Sequence, residues 1–315
     1  KKINKLKNIK ALVVGENIID RYILTQPLGM SQETSLVVHK PLEKKDFLGG
    51  ASIIAMHIAN LISQTDYLSL IEKKDKYFNF ISSKLKRNNI NSYFVEDETY
   101  KTIIKTRYRL DNNTIFRTNE FLNFNVSKNL ENKILKKFTQ LIKNKDLLIL
   151  SDFNYGFLPK NIVTKMIKIA KKINNKIIIS GDSQTSSQNG DISKFEGIDL
   201  ITPTEIEARK YITNTSTGLA VVSQKILKKL KLKNLVITLN KNGILIDTKT
   251  KTKYKTDKIN SLANIVVDTA GAGDAFITYT SLGLVAGANI WESSYLGSLA
   301  SAIHVNTMGN EKINF

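Results

Sequence analysis

The most informative stretch of the sequence is Asp268-Thr269-Ala270-Gly271-Ala272-Gly273-Asp274. The apolar run at residues 264–267 predicts a strand before it, and the residues from Ala275 onward predict a helix after it. Small residues at a strand-to-helix turn let a phosphate approach the backbone, and the first N–H groups of the helix lack an internal partner and carry partial positive charge. The stretch therefore predicts an anion hole for a transferring phosphoryl group.

Asp274 falls in the first turn of that helix, where a carboxylate is stabilised and can accept the proton of an attacking hydroxyl. The alternative is a plain glycine-rich turn whose aspartate caps the helix. An aspartate on each side of the glycines, at this spacing, favours the catalytic interpretation. The stretch is not a dinucleotide fingerprint, because Phe276 stands where the third glycine belongs, and the chain contains no Walker sequence.

Around this stretch, short strand-like runs alternate with longer helical patterns. Strands are predicted at residues 10–14, 147–150, 176–180, 200–202 and 234–238, and helices at residues 51–62, 158–173, 205–211 and 219–230. A small hairpin through Gly243 follows the last of these strands. Strands that alternate with helices need crossover connections, so the pattern predicts an α/β fold with a mostly parallel sheet covered on both faces.

Two segments, about residues 21–46 and 92–118, interrupt that alternation with strand-like patterns. Strands inserted between crossover units most simply form a small separate sheet, and a lid over an active site is its natural role. The edges of such strands can also pair across a two-fold axis, which predicts a homodimer. We therefore expect residues 1–315 to form a single domain with a small β-sheet lid.

Composition excludes several other classes of protein. The 315 residues include 47 lysines and arginines against 28 aspartates and glutamates, for a net charge of +19. The sequence contains no cysteine, so disulfides, thiolate zinc sites and thiol nucleophiles are excluded. The lysines are spread along the chain on amphipathic helices, as at residues 226–233, which disfavours a nucleic-acid partner. No apolar run approaches the roughly 18 residues of a membrane helix and no signal peptide is recognisable, so we expect a cytoplasmic location and no membrane partner.

A second motif, far upstream, is Phe47-Leu48-Gly49-Gly50-Ala51-Ser52. It resembles the N-terminal Gly-Gly signature of the ribokinase-like PfkB carbohydrate kinases, and residues 268–274 resemble their C-terminal signature. The likeness spans essentially the whole chain and is strongest to the branch that phosphorylates heptose 7-phosphate at O1 on the way to ADP-heptose. Segments that match this branch lie at residues 13–22, 31–33, 105–107, 116–117, 150–153 and 202–207. The resemblance implies a ribokinase-like three-layer fold.

The resemblance also assigns roles to individual residues. It implies that Asp274 is the catalytic base and that the backbone of three neighbours forms the anion hole, namely Gly271, Ala272 and Gly273. Substrate contacts are implied at Asp20, Gly49, Gly50, Arg107, Arg117 and Asp152. Nucleotide contacts are implied at Thr238, Asn240, Gly243 and Asp268, and a magnesium shell at Glu207. The implied cofactors are ATP and Mg²⁺, with a monovalent cation near Asp268.

Elementary chemistry agrees with part of these assignments. Asp20 follows a strand end and can accept two sugar hydroxyl hydrogens, although it could instead cap a turn. Arginine grips phosphate with two parallel hydrogen bonds, so Arg107 and Arg117 suit a substrate phosphate, with exposed lid charge as the alternative. Glu207 suits the water shell of magnesium as a hard oxygen ligand, and is otherwise a surface glutamate.

Four positions depart from the heptose-kinase pattern. Ile53 and His57 stand where asparagines are usual, Thr204 replaces the asparagine of an Asn-x-x-Glu motif, and Tyr155 stands where a lysine is common. These changes fall on the sugar and metal sides of the predicted site and leave the phosphoryl-transfer motif intact. The three histidines have no metal-binding spacing, so we expect packing or surface roles for them.

The sequence thus predicts an ATP-dependent sugar kinase that transfers the γ-phosphoryl group to a sugar hydroxyl, with O1 of a heptose 7-phosphate or a related sugar phosphate as acceptor. One alternative is a kinase for an unphosphorylated sugar or nucleoside, of the ribose or fructose type. Another is a non-catalytic ligand or nucleic-acid binder on the same fold.

Overall fold

The computed structural model describes residues 5–184, 190–213, 216–250 and 253–314. The strands in chain order are β1 (Lys10–Gly15), β2 (Asn17–Met30), β3 (Val37–Gly50), β4 (Gln64–Glu72), β5 (Ile90–Asp97), β6 (Ile103–Leu110), β7 (Asn113–Glu120), β8 (Leu147–Asp152), β9 (Ile178–Ser183), β10 (Leu200–Ile201), β11 (Asn234–Thr238), β12 (Ile244–Lys249) and β13 (Tyr254–Ile259). The helices are α1 (Ala51–Ala59), α2 (Phe78–Arg87), α3 (Lys128–Leu141), α4 (Lys160–Ile173), α5 (Glu205–Ile212), α6 (Leu219–Lys229), α7 (Ala272–Val285) and α8 (Ile290–His304). Short 3₁₀ turns lie at Ile192–Lys194 and Asn240–Asn242.

The large sheet has the strand order β13-β12-β11-β10-β9-β8-β1-β4-β5. Neighbouring strands from β11 to β5 run parallel, and β12 and β13 complete one edge in antiparallel pairing. The predicted α/β fold with a mostly parallel sheet is therefore confirmed. The carboxyl ends of the parallel strands meet at one edge of the sheet, which is where ligands bind in open α/β folds.

The large sheet is buried on both faces, because alternate side chains of a strand point to opposite sides. In β1, Leu12 and Val14 belong to a core packed under α3, α4, α5 and α6. Ala11 and Val13 belong to a second core packed under α1, α2, α7 and α8. The result is the three-layer arrangement that the resemblance implied.

The small sheet has the strand order β3-β2-β6-β7, with β2 parallel to β6 and the other pairs antiparallel. Residues 90–97, which overlap the second predicted lid segment, form β5 at the edge of the large sheet instead. The start of β2 and the end of β3 are buried, whereas the far ends of both strands are exposed. The small sheet is therefore anchored at the end that carries Asp20 and Gly49.

The strand predicted at residues 264–267 is wrong. These residues form an irregular segment in which Ile265 is 66% and Val266 57% exposed. The N–H of Val267 donates to the carbonyl of Val305 (2.8 Å), which joins the segment to the end of α8 and not to a sheet. β-branched residues favour a strand where a neighbouring strand can pair with them, and this segment has no such partner in the described part of the chain.

The predicted helices correspond to α1, α4, α5, α6 and α7 to within a few residues, and α1 ends at Ala59 rather than at residue 62. No prediction covers α2, α3 or α8. On α6, Ile226 and Leu227 are buried whereas Lys228 and Lys229 are exposed, so this lysine run is the solvated face of a helix. Among the described residues, no helix combines the length and the apolar character that a membrane crossing requires.

Candidate active site

The loop at residues 268–274 gives α7 an open N-terminus. Gly271 precedes the helix with a φ of 81°, and a Cβ there would lie 2.2 Å from Oδ1 of Asn310, so this position requires glycine. A Cβ on Gly273 would meet no atom within 4 Å. The space beside the first turn of α7 is therefore open to a ligand.

The backbone N–H groups of this turn are only partly used by the protein. The N–H of Ala272 donates to the carbonyl of Thr269 (3.3 Å). Helix geometry provides no intrahelical carbonyl for the N–H groups of Gly273 and Asp274. These two groups are consequently the ones best placed to bind an anion.

Asp274 is buried at the start of α7, where its Oδ1 accepts a hydrogen bond from Nε2 of Gln184 (2.9 Å). Burial raises the pKa of Asp274 to about 7 and the negative charge of Asp20 adds to the increase, whereas the positive charge of Lys105 lowers it. Asp20 and Lys105 are thus electrostatic neighbours of Asp274. A carboxyl group that titrates near neutral pH has the proton affinity that a general base requires.

Asp20 on β2 is held by both of its carboxylate oxygens. Oδ1 accepts a hydrogen bond from Nη1 of Arg107 (2.6 Å), and Oδ2 accepts one from Nδ2 of Asn310 (2.9 Å). A Cβ on Gly49 would lie 2.0 Å from Oδ2 of Asp20, and Gly50 has a φ of 64°. The two glycines therefore let the backbone approach this carboxylate, and the structure brings together four of the residues predicted to contact substrate.

The small sheet carries three cationic side chains beside this cluster. Lys105 and Arg107 alternate along β6 and so share a face. Nζ of Lys105 lies 5.0 Å from the ring centroid of Phe153 and 5.4 Å from that of Tyr155. Arg117 on β7 is exposed and pairs in register with Arg107, and cross-strand partners share a face of the sheet. Arg117 therefore extends the same positively charged face.

Glu207 is tied to the N-terminus of α5. Its Oε2 accepts a hydrogen bond from the N–H of Thr204 (2.8 Å), and Oγ1 of Thr204 accepts one from the N–H of Glu207 (3.3 Å). These two bonds form a capping box, so Thr204 replaces the usual asparagine without loss of the helix cap.

Asp182, at the end of β9, is a candidate functional residue that the sequence did not reveal. Burial raises the pKa of Asp182 well above its ordinary value, and the charges of Glu207 and Asp274 raise it further. The available signal was its position just after the predicted strand at residues 176–180, because ligands bind at the carboxyl ends of parallel strands. No cluster of three metal-ligating side chains occurs within the described ranges, so a metal here would rely on one or two carboxylates.

Asp152 lies in a buried charge cluster at the end of β8. It forms an ion pair with Lys194 and accepts hydrogen bonds from Oγ of Ser183 (3.1 Å) and from the N–H of Asn154 (3.1 Å). Burial, followed by the charge of Asp152, raises the pKa of the adjacent Glu16 to about 7. The predicted substrate contact at Asp152 stays a prediction, and the residues around it were not identified from the sequence.

The residues predicted to contact nucleotide lie in two places. Thr238 ends β11, and Asn240 and Gly243 follow it in the turn to β12. Gly243 has a φ of 86°, and a Cβ there would lie 2.0 Å from a carbonyl oxygen of β13, so the turn requires glycine. Asp268 lies apart from this turn, where its Oδ2 accepts a hydrogen bond from the hydroxyl of Tyr22 (2.6 Å).

Two of the departures from the family pattern are core residues of α1. Ile53 and His57 are both 0% exposed. The ring of His57 lies 5.5 Å from that of His304, and burial, followed by the charge of His304, lowers the pKa of His57 to about 3. Both histidines therefore have the packing role expected for them.

Comparison with known proteins defines the class to which this site belongs. Residues 8–313 match the model of the pfkB family carbohydrate kinases. The chain therefore belongs to the pfkB family of carbohydrate kinases.

Among curated relatives, the bifunctional protein HldE of Haemophilus influenzae is 30% identical over 98% of this chain, and that of Campylobacter jejuni is 26% identical over 97%. The chain spans 63% of the length of each. Phosphofructokinase-2 from Escherichia coli, solved in complex with potassium, has a TM-score of 0.75 at 16% identity, over 97% of this chain and 95% of its own. Ribokinase from Giardia lamblia has a TM-score of 0.74 at 17% identity, over 96% of this chain and 95% of its own. These two structures share the ribokinase-like fold of this chain.

Replacement of Lys105 by methionine should raise the pKa of Asp274 above its value of about 7, because a neighbouring positive charge that favours the carboxylate is lost. Carboxyl ¹³C NMR on aspartate-labelled protein measures this, with Asp274→Asn to assign the resonance. Lys101→Met is the control, since Lys101 pairs with Glu72 at the surface. An Asp274 resonance that titrates at the same pH in Lys105→Met and in the unmodified protein would contradict the assigned proximity.

Proposed function

We propose that this chain transfers the γ-phosphoryl group of ATP to a hydroxyl of a phosphorylated sugar, with O1 of a heptose 7-phosphate as the preferred acceptor. The observation that carries the proposal is the buried carboxyl group of Asp274, with its pKa of about 7 and the charges of Asp20 and Lys105 beside it. Family membership supports the kinase class. The HldE relatives and the matching segments of the sequence support a heptose.

In this mechanism Asp20 and the Gly49-Gly50 turn hold the hydroxyl groups of the acceptor sugar. Asp274 accepts the proton of the attacking sugar hydroxyl. The oxygen of that hydroxyl bonds to the γ-phosphorus, and the bond between the γ-phosphorus and the bridging oxygen of ADP breaks. The N–H groups at the start of α7 stabilise the charge of the transferring group. The small sheet, which carries Asp20, acts as the lid that positions the sugar.

Glu207 and Asp182 suit the shell of a magnesium ion, because magnesium keeps several waters and binds through one or two carboxylates together with substrate phosphates. When bound, magnesium neutralises the phosphates of ATP. The strongly raised pKa of Asp182 supports this site, since a divalent cation would relieve the concentrated negative charge. The proposed nucleotide contacts are Thr238, Asn240 and Gly243, after β11.

The two arginines predicted for a substrate phosphate differ in their surroundings. Arg107 is 14% exposed and bound to Asp20, so its loss would disturb the hydroxyl contacts as well as any phosphate contact. Arg117 is exposed on the same face of the small sheet. We therefore assign the phosphate of the acceptor to Arg117 first. A second candidate is a kinase for an unphosphorylated sugar. It is favoured by the ion pair between Arg107 and Asp20, because an arginine bound to Asp20 is already engaged and is not needed for a substrate phosphate.

Asp274→Asn should lower ATP turnover by about 100- to 10,000-fold, the usual contribution of a general base, and should not lower the melting temperature, because it removes a carboxyl group whose ionised form is disfavoured by burial. In the unmodified protein, kcat/KM should rise with pH and level off above about 7, because the base must be deprotonated. Coupled ATP consumption and thermal unfolding measure both effects. Asp46→Asn, which breaks an ion pair with Arg21 on the small sheet, should keep its turnover. Full turnover in Asp274→Asn would refute the mechanism.

A panel of heptose 7-phosphate, fructose 6-phosphate, ribose, fructose and adenosine identifies the acceptor. Heptose 7-phosphate should give the highest kcat/KM, and Arg117→Ala should raise its KM about tenfold, since a hydrogen bond to a charged group is worth about 1.5–3 kcal/mol. Arg87→Ala, at the exposed end of α2, is the control. Preference for an unphosphorylated acceptor with no effect of Arg117→Ala would favour the second candidate. No turnover together with strongly salt-dependent nucleic-acid binding would favour a non-catalytic binder.

We also propose that two copies of the chain associate through the small sheet. The small sheet and the connection between β2 and β3 expose many large apolar side chains, namely Leu28, Met30, Leu36, Val37, Val38, Leu42, Ile115 and Phe116. Exposed apolar side chains in this number indicate an interaction surface, and the open edges of β3 and β7 can pair with another strand.

Phe116→Glu should convert a dimer to a monomer in sedimentation velocity, because it places a charge in the apolar contact. Val221→Glu, at an exposed apolar position on α6, should leave the sedimentation coefficient unchanged. A monomeric unmodified protein at micromolar concentration would contradict the proposal.

A further inference from the structure

The carboxylate of Asp268 is surrounded by donors from three parts of the chain. Its Oδ2 accepts hydrogen bonds from the hydroxyl of Tyr22 (2.6 Å) and from the N–H of Gly309 (3.2 Å), and its Oδ1 accepts one from the N–H of Ala270 (3.0 Å). Nη1 of Arg109 lies 3.5 Å from Oδ2. Oδ2 thus faces three groups of the protein itself and Oδ1 accepts from one, so few of the roughly four acceptor positions of this carboxylate are left for a ligand.

Arg109 is an unusual neighbour for a catalytic loop, because its side chain is only 2% exposed and carries a permanent charge. It lies on β6 of the small sheet, yet its Nη2 donates to the carbonyl of Val267 (3.4 Å) as well as to that of Asn112 (2.5 Å). Its guanidinium carbon lies 5.8 Å from the ring centroid of Tyr22. Arg109 therefore binds Asp268 in the loop and Val267 just before it.

This environment does not fit the monovalent cation expected near Asp268. Such an ion needs free oxygen atoms, and it would have to lie close to the fixed charge of Arg109 in a region shielded from water. The neighbouring carbonyl of Ala270 is also engaged, since Nε2 of His304 lies 2.8 Å from it. A carbonyl can only accept, so this nitrogen of His304 carries the proton.

We propose that Arg109 is a built-in cation of the 268–274 loop, which makes this chain independent of an exchangeable monovalent cation. Arg109 is a positioning residue: it neutralises Asp268 and fixes the backbone that leads to Gly271 and the start of α7. The inference rests on the proposed role of this loop in phosphoryl transfer, but not on the identity of the sugar.

The test compares the unmodified protein with Arg109→Met in potassium chloride and in tetramethylammonium chloride at equal ionic strength. Melting temperature and ²⁰⁵Tl NMR report cation binding, and ATP turnover reports function. The unmodified protein should show the same melting temperature in both salts, no bound thallium signal, and turnover within about twofold, because a ligand that does not bind the folded state cannot stabilise it. Arg109→Met should lose turnover and recover part of it in potassium, since Asp268 then lacks a counter-charge.

Arg21→Met is the matched control, because it also removes a small-sheet arginine from an ion pair with an aspartate, and it should show no response to potassium. If Arg109→Met fails to fold, Arg109→Lys, which keeps the charge, should fold and stay insensitive to potassium. Potassium-dependent melting, bound thallium, or more than twofold activation in the unmodified protein would overturn the inference. Unchanged turnover in Arg109→Met would overturn it as well. Should no sugar be turned over, the proposed function fails while the melting and thallium measurements still decide this inference.

Discussion

The buried ion pair between Asp268 and Arg109 joins the small sheet to the loop at the start of α7. Tyr22 of β2 donates to the same carboxylate, so both central strands of the small sheet meet the loop at one group. Leaving one member of a buried pair without its partner costs about 3–5 kcal/mol, so this junction resists displacement. Because β2 also carries Asp20 and β6 also carries Lys105, the charges beside Asp274 depend on the same junction.

The site is built from buried acids although the chain is strongly basic. With a net charge of +19, the surface is dominated by lysine, as the exposed face of α6 illustrates. Inside, Asp182, Glu16 and Asp274 all have raised pKa values, because burial removes water from each carboxyl and other acids lie nearby. These carboxyl groups therefore take up protons more readily than exposed ones, which suits a site for proton transfer.

The departures from the heptose-kinase pattern have structural explanations of different kinds. Thr204 still caps α5 through the capping box with Glu207, and His57 is a core residue that packs against His304. Tyr155 stands where a lysine is common, and the ammonium group of Lys105 lies over its ring. A positive charge is thus present at this place, supplied by a strand of the small sheet. The sequence alone does not reveal this contact, because Lys105 and Tyr155 lie fifty positions apart.

The sequence by itself determined the alternation of strands and helices, the mostly parallel sheet and the Gly-rich turn at α7, because periodicity and glycine placement are local properties of the chain. It did not predict β4, α2, α3 or α8. It also indicated Asp20, Gly49 and Asp274, since each belongs to a recognisable motif. Only the tertiary structure decided that residues 264–267 are not a strand, because strand formation needs a partner in space. The tertiary structure also decided the raised pKa of Asp182 and the burial of Arg109 against Asp268. Burial and electrostatic neighbours arise only when distant segments pack together.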